Sequence, residues 1–286
     1  MNRIPVRSAM VALAVLALSA SAAAAGEPYG NPDPNPDPGP TRSEAAATAQ
    51  KQALVDDWLA ARAGQMSSST VRAEVAAFED GTTAASPSTA VIPNAVSGVL
   101  GVSQYAQANN IYCGPSAVYS ILKYKGATTG PAGESLTQSH LGAKCATGYL
   151  CTDYDGGTSW YHSAAYPRPV VSTLNEWMNT AWYMAQSGAT SYNGRLVFDI
   201  DNIHPIALNT YEKASSSTPH FKGHPTNHEI WHWTVASGYD GSGASTYYVE
   251  TAYGSGVWPN VPRYAWISNS TSTGLGYMLA QRGYVW

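Results

Sequence analysis

The 286-residue chain carries little charge and few phenylalanines. Charged residues make up 12% of it, about half of the usual ~25%. Its 15 lysines and arginines against 19 aspartates and glutamates give a formal net charge of −4. This shortage of basic residues excludes nucleic acid as an expected partner. Apolar residues still account for 44% of the chain, so a core can form and disorder is excluded over most of its length.

No apolar run in the sequence reaches the ~20 residues of a membrane-spanning helix. The longest, Ala9–Leu18, follows Arg3 and Arg7 and precedes the small residues Ala23–Ala25. This order is typical of a cleaved secretory signal peptide, with an uncleaved anchor as the alternative. We therefore predict a signal peptide over residues 1–25, a secreted extracellular protein, and no membrane anchor after its removal.

The segment after the predicted signal peptide is rich in proline. Proline occupies alternate positions over Pro32–Pro38, which removes backbone donors and favours an extended spacer. Thr41 and Glu44 then form a capping box that predicts a helix through Arg62. A shorter helix is expected around Val71–Phe78.

The chain therefore divides into a signal peptide, a proline-rich linker, a helical N-terminal region with its connector, and one large domain. The respective residues are 1–25, 26–40, 41–95 and 96–286. Because the third part precedes a domain of catalytic size, it is a candidate inhibitory pro-region.

The large domain is predicted to begin with helices and to end with strands. The two helices are Cys113–Lys125 and Ser172–Gln186. The five strands are Leu196–Ile200, Pro205–Thr210, Ile230–Tyr239, Thr246–Glu250 and Tyr264–Ile267. Helices first and a mostly antiparallel sheet second is the α+β pattern, here with an N-terminal helical appendage.

The sequence contains three cysteines, and their spacing makes one of them a candidate nucleophile. Cys145 and Cys151 are separated by five residues, so we expect a disulfide between them in an exported protein. Cys113 is left unpaired at the start of a predicted helix that continues with Gly114-Pro115. The positive end of a helix dipole favours a thiolate, which is the nucleophile of a cysteine hydrolase. An inert buried cysteine is the alternative.

A glutamine upstream of Cys113 is suited to stabilise an oxyanion. Gln107 precedes Cys113 by six residues, and its amide can donate a hydrogen bond beside the Cys113 backbone N–H. Gln104 is a second candidate, and an ordinary loop glutamine is the alternative for both.

His232 is the best-placed base among seven histidines. It lies on a predicted strand that can face a helix packed on the sheet. Glu250 ends the next predicted strand, and a hairpin can place its carboxylate behind the His232 ring, where it fixes the tautomer and favours the imidazolium. The alternatives are a buried core histidine and an exposed carboxylate at a strand end.

Residues 102–254 resemble the bacteriocin-processing-peptidase-like family, which is similar to papain in fold. The resemblance rests on Gln107 before Cys113, on the Cys-Gly-Pro-Ser-Ala-Val-Tyr helix, on the strand led by Pro205, and on the histidine strand His232–Asp240.

The resemblance implies a papain-like cysteine peptidase, with the nucleophile-bearing helix packed on the sheet. It implies Cys113 as nucleophile, His232 as base, Glu250 as the orienting carboxylate and Gln107 as oxyanion donor. In the family an aspartate usually opens the turn after the histidine strand, whereas this chain has Glu250.

His228, Glu229 and His232 also match H-E-x-x-H, the motif of zinc hydrolases, and Glu250 lies at a plausible spacing for a third ligand. In that alternative Glu229 is the general base. The motif requires a helix, but its aromatic and β-branched neighbours favour a strand. On a strand the two histidines lie ~13 Å apart, too far for one metal.

The sequence thus predicts a secreted cysteine peptidase or amidase that cleaves peptide or related amide bonds through a thioester on Cys113. We expect a peptide or protein substrate, with cell-wall peptide as one candidate. No cofactor or metal is predicted, and a monomer is expected. Two alternatives stay open: the zinc peptidase, and a non-catalytic module of the same fold that binds peptides or cell wall.

Overall fold

A computed structural model of the chain describes residues 37–81, 95–143, 145–152 and 157–286. The predicted signal peptide and most of the predicted linker lie outside these residues. Within the described ranges, no helix is both long enough and apolar enough to cross a bilayer.

The described chain folds into seven helices of four or more residues and seven strands. The helices are α1 Arg42–Arg62, α2 Ser68–Glu79, α3 Cys113–Tyr124, α4 Gln138–Gly142, α5 Pro169–Met178, α6 Tyr192–Asp201 and α7 Leu275–Ala280. The strands are β1 Gly98–Val99, β2 Ala185–Ser187, β3 Ile206–Glu212, β4 Ile230–Asp240, β5 Ser245–Val249, β6 Tyr264–Ser268 and β7 Gly283–Val285.

The strands form one antiparallel sheet in the order β2-β7-β3-β4-β5-β6, and β1 pairs with β4 as well. The long strand β4 lies at the centre, with β3 on one side and β5 on the other. The predicted α+β class and the mostly antiparallel sheet are both confirmed.

Helix α3 packs on β4 through one apolar face. Ala117, Val118, Ile121 and Leu122 are fully buried there, as their helical spacing predicts. The helix ends before Gly126, whose φ of 82° reverses the chain in a conformation that glycine adopts without strain. This packing fixes the position of α3 on the central strand of the sheet.

Two predicted elements are wrong. Residues 196–200 form part of helix α6 instead of a strand. A five-residue apolar run suits a buried strand or a buried helix equally well, and here the helix is buried between α1 and the sheet. The predicted helix Ser172–Gln186 starts earlier, with Pro169 as its first residue, and ends at Met178. Asn179 stops it by adopting a left-handed conformation, with φ of 48°.

The N-terminal helices pack on α6. Thr41 and Glu44 form the predicted capping box of α1. Further along α1, Arg62 makes an ion pair with Asp201 at the end of α6, and its guanidinium also bonds the Tyr239 hydroxyl at 3.0 Å. Helices α1 and α2 therefore share one hydrophobic core with the large domain.

Candidate active site

Cys113 is the first residue of α3, in the position that its sequence predicts. Its side chain is 7% exposed. The backbone N–H groups of a first helical turn have no partner inside the helix, so their positive end faces the sulfur. Next to it, Gly114 packs directly beneath Thr158, and a Cβ at position 114 would collide with the Thr158 hydroxyl. The absence of a side chain at Gly114 thus permits a close approach of the 157–160 segment to the nucleophile.

A disulfide joins Cys145 to Cys151, with 4.4 Å between the Cα atoms, and Cys113 is the free cysteine. Thr152 directly follows the disulfide, and its hydroxyl lies 2.6 Å from the hydroxyl of Thr158. This contact connects the disulfide to the 157–160 segment, which covers Cys113.

His232 on β4 faces Cys113 closely enough for the sulfur to raise the pKa of the imidazole. Its Nε2 atom lies 2.7 Å from Oε1 of Glu250, which leaves Nδ1 as the ring nitrogen for the sulfur. Nε2 also lies 3.2 Å from the hydroxyl of Thr251. The predicted Cys–His–Glu series is therefore assembled in the structure.

Glu250 follows β5, and the β4–β5 pairing that brings it to His232 is the predicted hairpin. Val235 of β4 pairs with Val249 of β5, one residue before Glu250. The backbone N–H of Ala252 donates to Oε1 of Glu250 at 2.9 Å. The carboxylate is fully buried, contrary to the exposed strand-end alternative.

The buried imidazole and carboxylate stabilise each other's charged forms. Burial alone would lower the pKa of His232, but the Glu250 carboxylate and the Cys113 sulfur outweigh it and raise this pKa to about 10. Burial alone would raise the pKa of Glu250, but His232 and His224 hold it well below its usual range. At neutral pH, His232 is therefore an imidazolium and Glu250 a carboxylate.

A second histidine and a second glutamate lie behind Glu250, and the sequence analysis missed both. Nε2 of His224 is 3.2 Å from Oε2 of Glu250, and its Nδ1 is 2.7 Å from Oε1 of Glu212. The sequence offers one signal for them: Glu212 follows the predicted strand Pro205–Thr210 by two residues, and a carboxylate buried there needs a partner.

Gln107 contacts Thr251, the residue that follows Glu250. Its backbone N–H donates to the carbonyl of Thr251 at 2.9 Å, and its Nε2 donates to the carbonyl of Asn109 at 2.8 Å. Its Oε1 is buried and has no hydrogen-bond partner in the described ranges. The amide of Gln104 donates to the carbonyl of Tyr253 at 2.9 Å, so each of the two glutamines uses one amide N–H on a backbone carbonyl and has a second for an oxyanion.

A narrow cavity of about 10 Å³ adjoins the nucleophile. Cys113, Thr158, Asn209, Trp231 and Trp233 line it among others. Asn209 is 1% exposed, yet neither Oδ1 nor Nδ2 finds a hydrogen-bond partner among the residues that the structure describes. The cavity therefore offers a donor and an acceptor beside the sulfur, between aromatic walls.

The H-E-x-x-H alternative lacks its helix. His228 and Glu229 lie in the turn before β4, and His232 lies on the strand. The carboxylate of Glu229 accepts a hydrogen bond from the Tyr211 hydroxyl at 2.7 Å. This arrangement does not provide the single helix that the zinc alternative requires.

Among the residues that the structure describes, two other groups have ligand atoms close enough for a metal. One is His224, His232 and Glu250, whose ligand atoms lie within 4.8 Å of one another and already bond each other. The other is Cys145, Cys151 and His162, but the disulfide occupies both sulfurs.

A model of the Peptidase C39-like family matches residues 99–271, more than half of the chain. The chain belongs to this family. Cys113, His232 and Glu250 all lie within the matched residues. None of the curated proteins matches the chain significantly. Among solved structures, the chain is similar to a Bacillus anthracis protein assigned to the C39-like peptidases, with 11% identity and a TM-score of 0.40, over 66% of this chain and 96% of the other. The family assignment rests on the family model.

Membership of the C39-like family confirms the family that the cysteine and histidine motifs predict, together with the α+β, papain-like fold. It supports a cysteine peptidase-like hydrolase that acts on peptides or proteins.

Proposed function

We propose that the protein is a secreted cysteine peptidase that cleaves peptide bonds through a thioester on Cys113. The sulfur attacks the carbonyl carbon of the scissile bond, and the tetrahedral oxyanion accepts hydrogen bonds from the Cys113 N–H and the Gln107 side chain. The His232 imidazolium gives its proton to the leaving amine as the C–N bond breaks. His232 then takes a proton from water, which attacks the thioester; the C–S bond breaks, the acid is released, and the Cys113 thiolate and His232 imidazolium are restored.

The observation that carries this proposal is the buried series Cys113–His232–Glu250 at the first turn of α3. In this series Glu250 replaces the usual aspartate and holds the ring through Nε2, so that Nδ1 faces the sulfur. Membership of the C39-like peptidase family supports a peptide or protein as the substrate, and cell-wall peptides are within this class. Secretion is supported by the signal-peptide pattern of residues 1–25.

The test is hydrolysis of a broad peptide library by the wild-type chain, by Cys113→Ala and by His232→Ala. We expect turnover by the wild type and loss of at least about 10³-fold in either variant. Iodoacetamide applied without reductant modifies Cys113 alone, because the disulfide protects the other two cysteines, and it should abolish turnover. Turnover that survives alkylation and is lost with a chelator would contradict the proposal and favour a metallopeptidase. Peptide binding without turnover would favour a non-catalytic module.

A further inference from the structure

His224 lies between two buried carboxylates. Its Nδ1 is 2.7 Å from Oε1 of Glu212, and its Nε2 is 3.2 Å from Oε2 of Glu250. All three side chains are fully buried. Aromatic rings pack around the imidazole: the centroids of Phe221 and Trp258 lie 5.5 and 4.1 Å from its own.

This geometry fixes the charge of His224. An imidazole donates from both ring nitrogens only when it is protonated, and an ionised carboxylate only accepts. Burial opposes protonation, but the carboxylates of Glu212 and Glu250 outweigh burial and raise the pKa of His224. His232 and His224 are therefore positive, and Glu250 and Glu212 are negative. The charges alternate along this series of four side chains and sum to zero.

We propose that His224 and Glu212 are positioning residues, which hold Glu250 in the orientation that the proposed peptidase needs. A glutamate has one more side-chain torsion than the aspartate usual in the family, so its carboxylate has more orientations to lose. His224 anchors Oε2 of Glu250, and Glu212 in turn anchors His224. The second oxygen, Oε1, is left for His232 and for the N–H of Ala252.

The loop between β3 and β4 is built to deliver His224 to this place. The backbone N–H of Phe221 donates to the free oxygen of Glu212 at 3.2 Å. Gly223 has φ of 85° and lies so close to the backbone of Asn260 that a side chain there would collide with it. The loop is thereby fixed in the residues that immediately precede His224.

The first test replaces His224 by glutamine, with His220→Gln as the matched control. His220 lies on the same loop, and its ring bonds the carbonyl of Thr218 at 2.9 Å. For His224→Gln we expect kcat to fall ~10- to 100-fold, with KM changed less than about threefold. The acidic limb of kcat/KM should move up by about 0.5–1 pH unit, because Glu250 loses a cationic neighbour and takes up a proton more readily.

A double variant separates positioning from mere stability. Glu212→Gln or His224→Gln alone leaves one buried charge without its counterpart, whereas the two substitutions together keep the sum at zero. The double variant should therefore melt at a higher temperature than His224→Gln. Its kcat should stay as low as that of His224→Gln, and its acidic limb should stay at the same raised pH, because Glu250 still lacks its anchor. Recovery of kcat together with stability would overturn the proposal.

Two measurements keep the result independent of substrate choice and of variant folding. The rate of Cys113 alkylation against pH needs no substrate, so its acidic limb reports on His224 even if the proposed peptidase activity fails. In the wild type, NMR of the His224 ring should show both nitrogens protonated at pH 6–7. A neutral His224 ring there, or an alkylation profile of His224→Gln identical to that of His220→Gln, would overturn the proposal.

Discussion

The ammonium nitrogen of Lys51 lies 3.2 Å from Oδ1 of Asp199, and both side chains are fully buried. Lys51 belongs to α1 and Asp199 to α6, so the pair joins the N-terminal helices to the large domain. Burial lowers the pKa of Lys51 to about 8 and raises that of Asp199 to about 6. The desolvation of these two charges thus exceeds their mutual attraction, and the pair costs stability while it fixes the position of the helix.

We expect a single replacement in this pair to lower the free energy of unfolding far more than replacement of both residues. Lys51→Met leaves Asp199 buried without its counterion and should lower the free energy of unfolding by ~3–5 kcal/mol. Lys51→Met with Asp199→Leu should be neutral or raise it by ~1–4 kcal/mol. Urea unfolding measures both, and Lys123→Met, at an exposed position, is the control. Additive losses in the double variant would contradict this account.

Removal of residues 1–81 should destabilise the protein instead of activating it. The deletion strips the partners from Asp199 and Asp201 and exposes the apolar side of α6. The N-terminal helices also contribute no residue to the cavity beside Cys113. Thermal melting and peptide turnover of the truncated and full chains provide the measurement. A stable truncated protein with faster turnover would instead support the pro-region hypothesis.

Stability should be greatest at mildly acidic pH because of the His232–Glu250 pair. The pKa of His232 is about 10 against an ordinary 6.5, so its contribution is complete below pH 6.5 and is lost as the pH rises towards 10. The pKa of Glu250 is lowered from 4.5, so its contribution is complete above pH 4.5 and is lost as the pH falls. Urea midpoints from pH 5.5 to 10 should decline in the wild type, and Glu250→Gln should flatten this decline. An equal decline in both proteins would refute the assignment.

Asn209→Leu should stabilise the protein while it impairs substrate binding. Leucine has nearly the same shape as asparagine, and the substitution removes a buried amide without partners, so the free energy of unfolding should rise by ~1–2 kcal/mol. If the amide bonds an extended substrate beside Cys113, KM should rise ~3- to 10-fold. Alkylation of Cys113 by iodoacetamide, which needs no such contact, serves as the control and should keep its rate. A lower melting temperature together with an unchanged KM would show that Asn209 has a purely structural role.

Local signals were sufficient to predict the centre of the site. Cys113 opens a helix that its sequence marks with a proline near the start and a glycine after the end. His232 lies on a strand whose aromatic and β-branched residues outweigh the resemblance to a zinc motif. Glu250 required one further step, the assumption of a hairpin between its strand and the histidine strand, and β4 and β5 form this hairpin.

Contacts between distant segments could not be predicted in the same way. His224 lies on a 17-residue connection between β3 and β4, where no periodicity fixes the path of the chain. Residues 196–200 were assigned to a strand because burial on every side removes the pattern that distinguishes helix from strand. In both cases tertiary packing decides, and a single sequence does not record which segments pack together.

The close approach of Gly114 and Thr158 limits what can reach the sulfur. With no side chain between helix and covering segment, the space beside Cys113 is only about 10 Å³, which excludes the convex surface of a folded domain. We therefore expect cuts to fall in tails, linkers and unfolded chains, with compact targets spared until they are denatured.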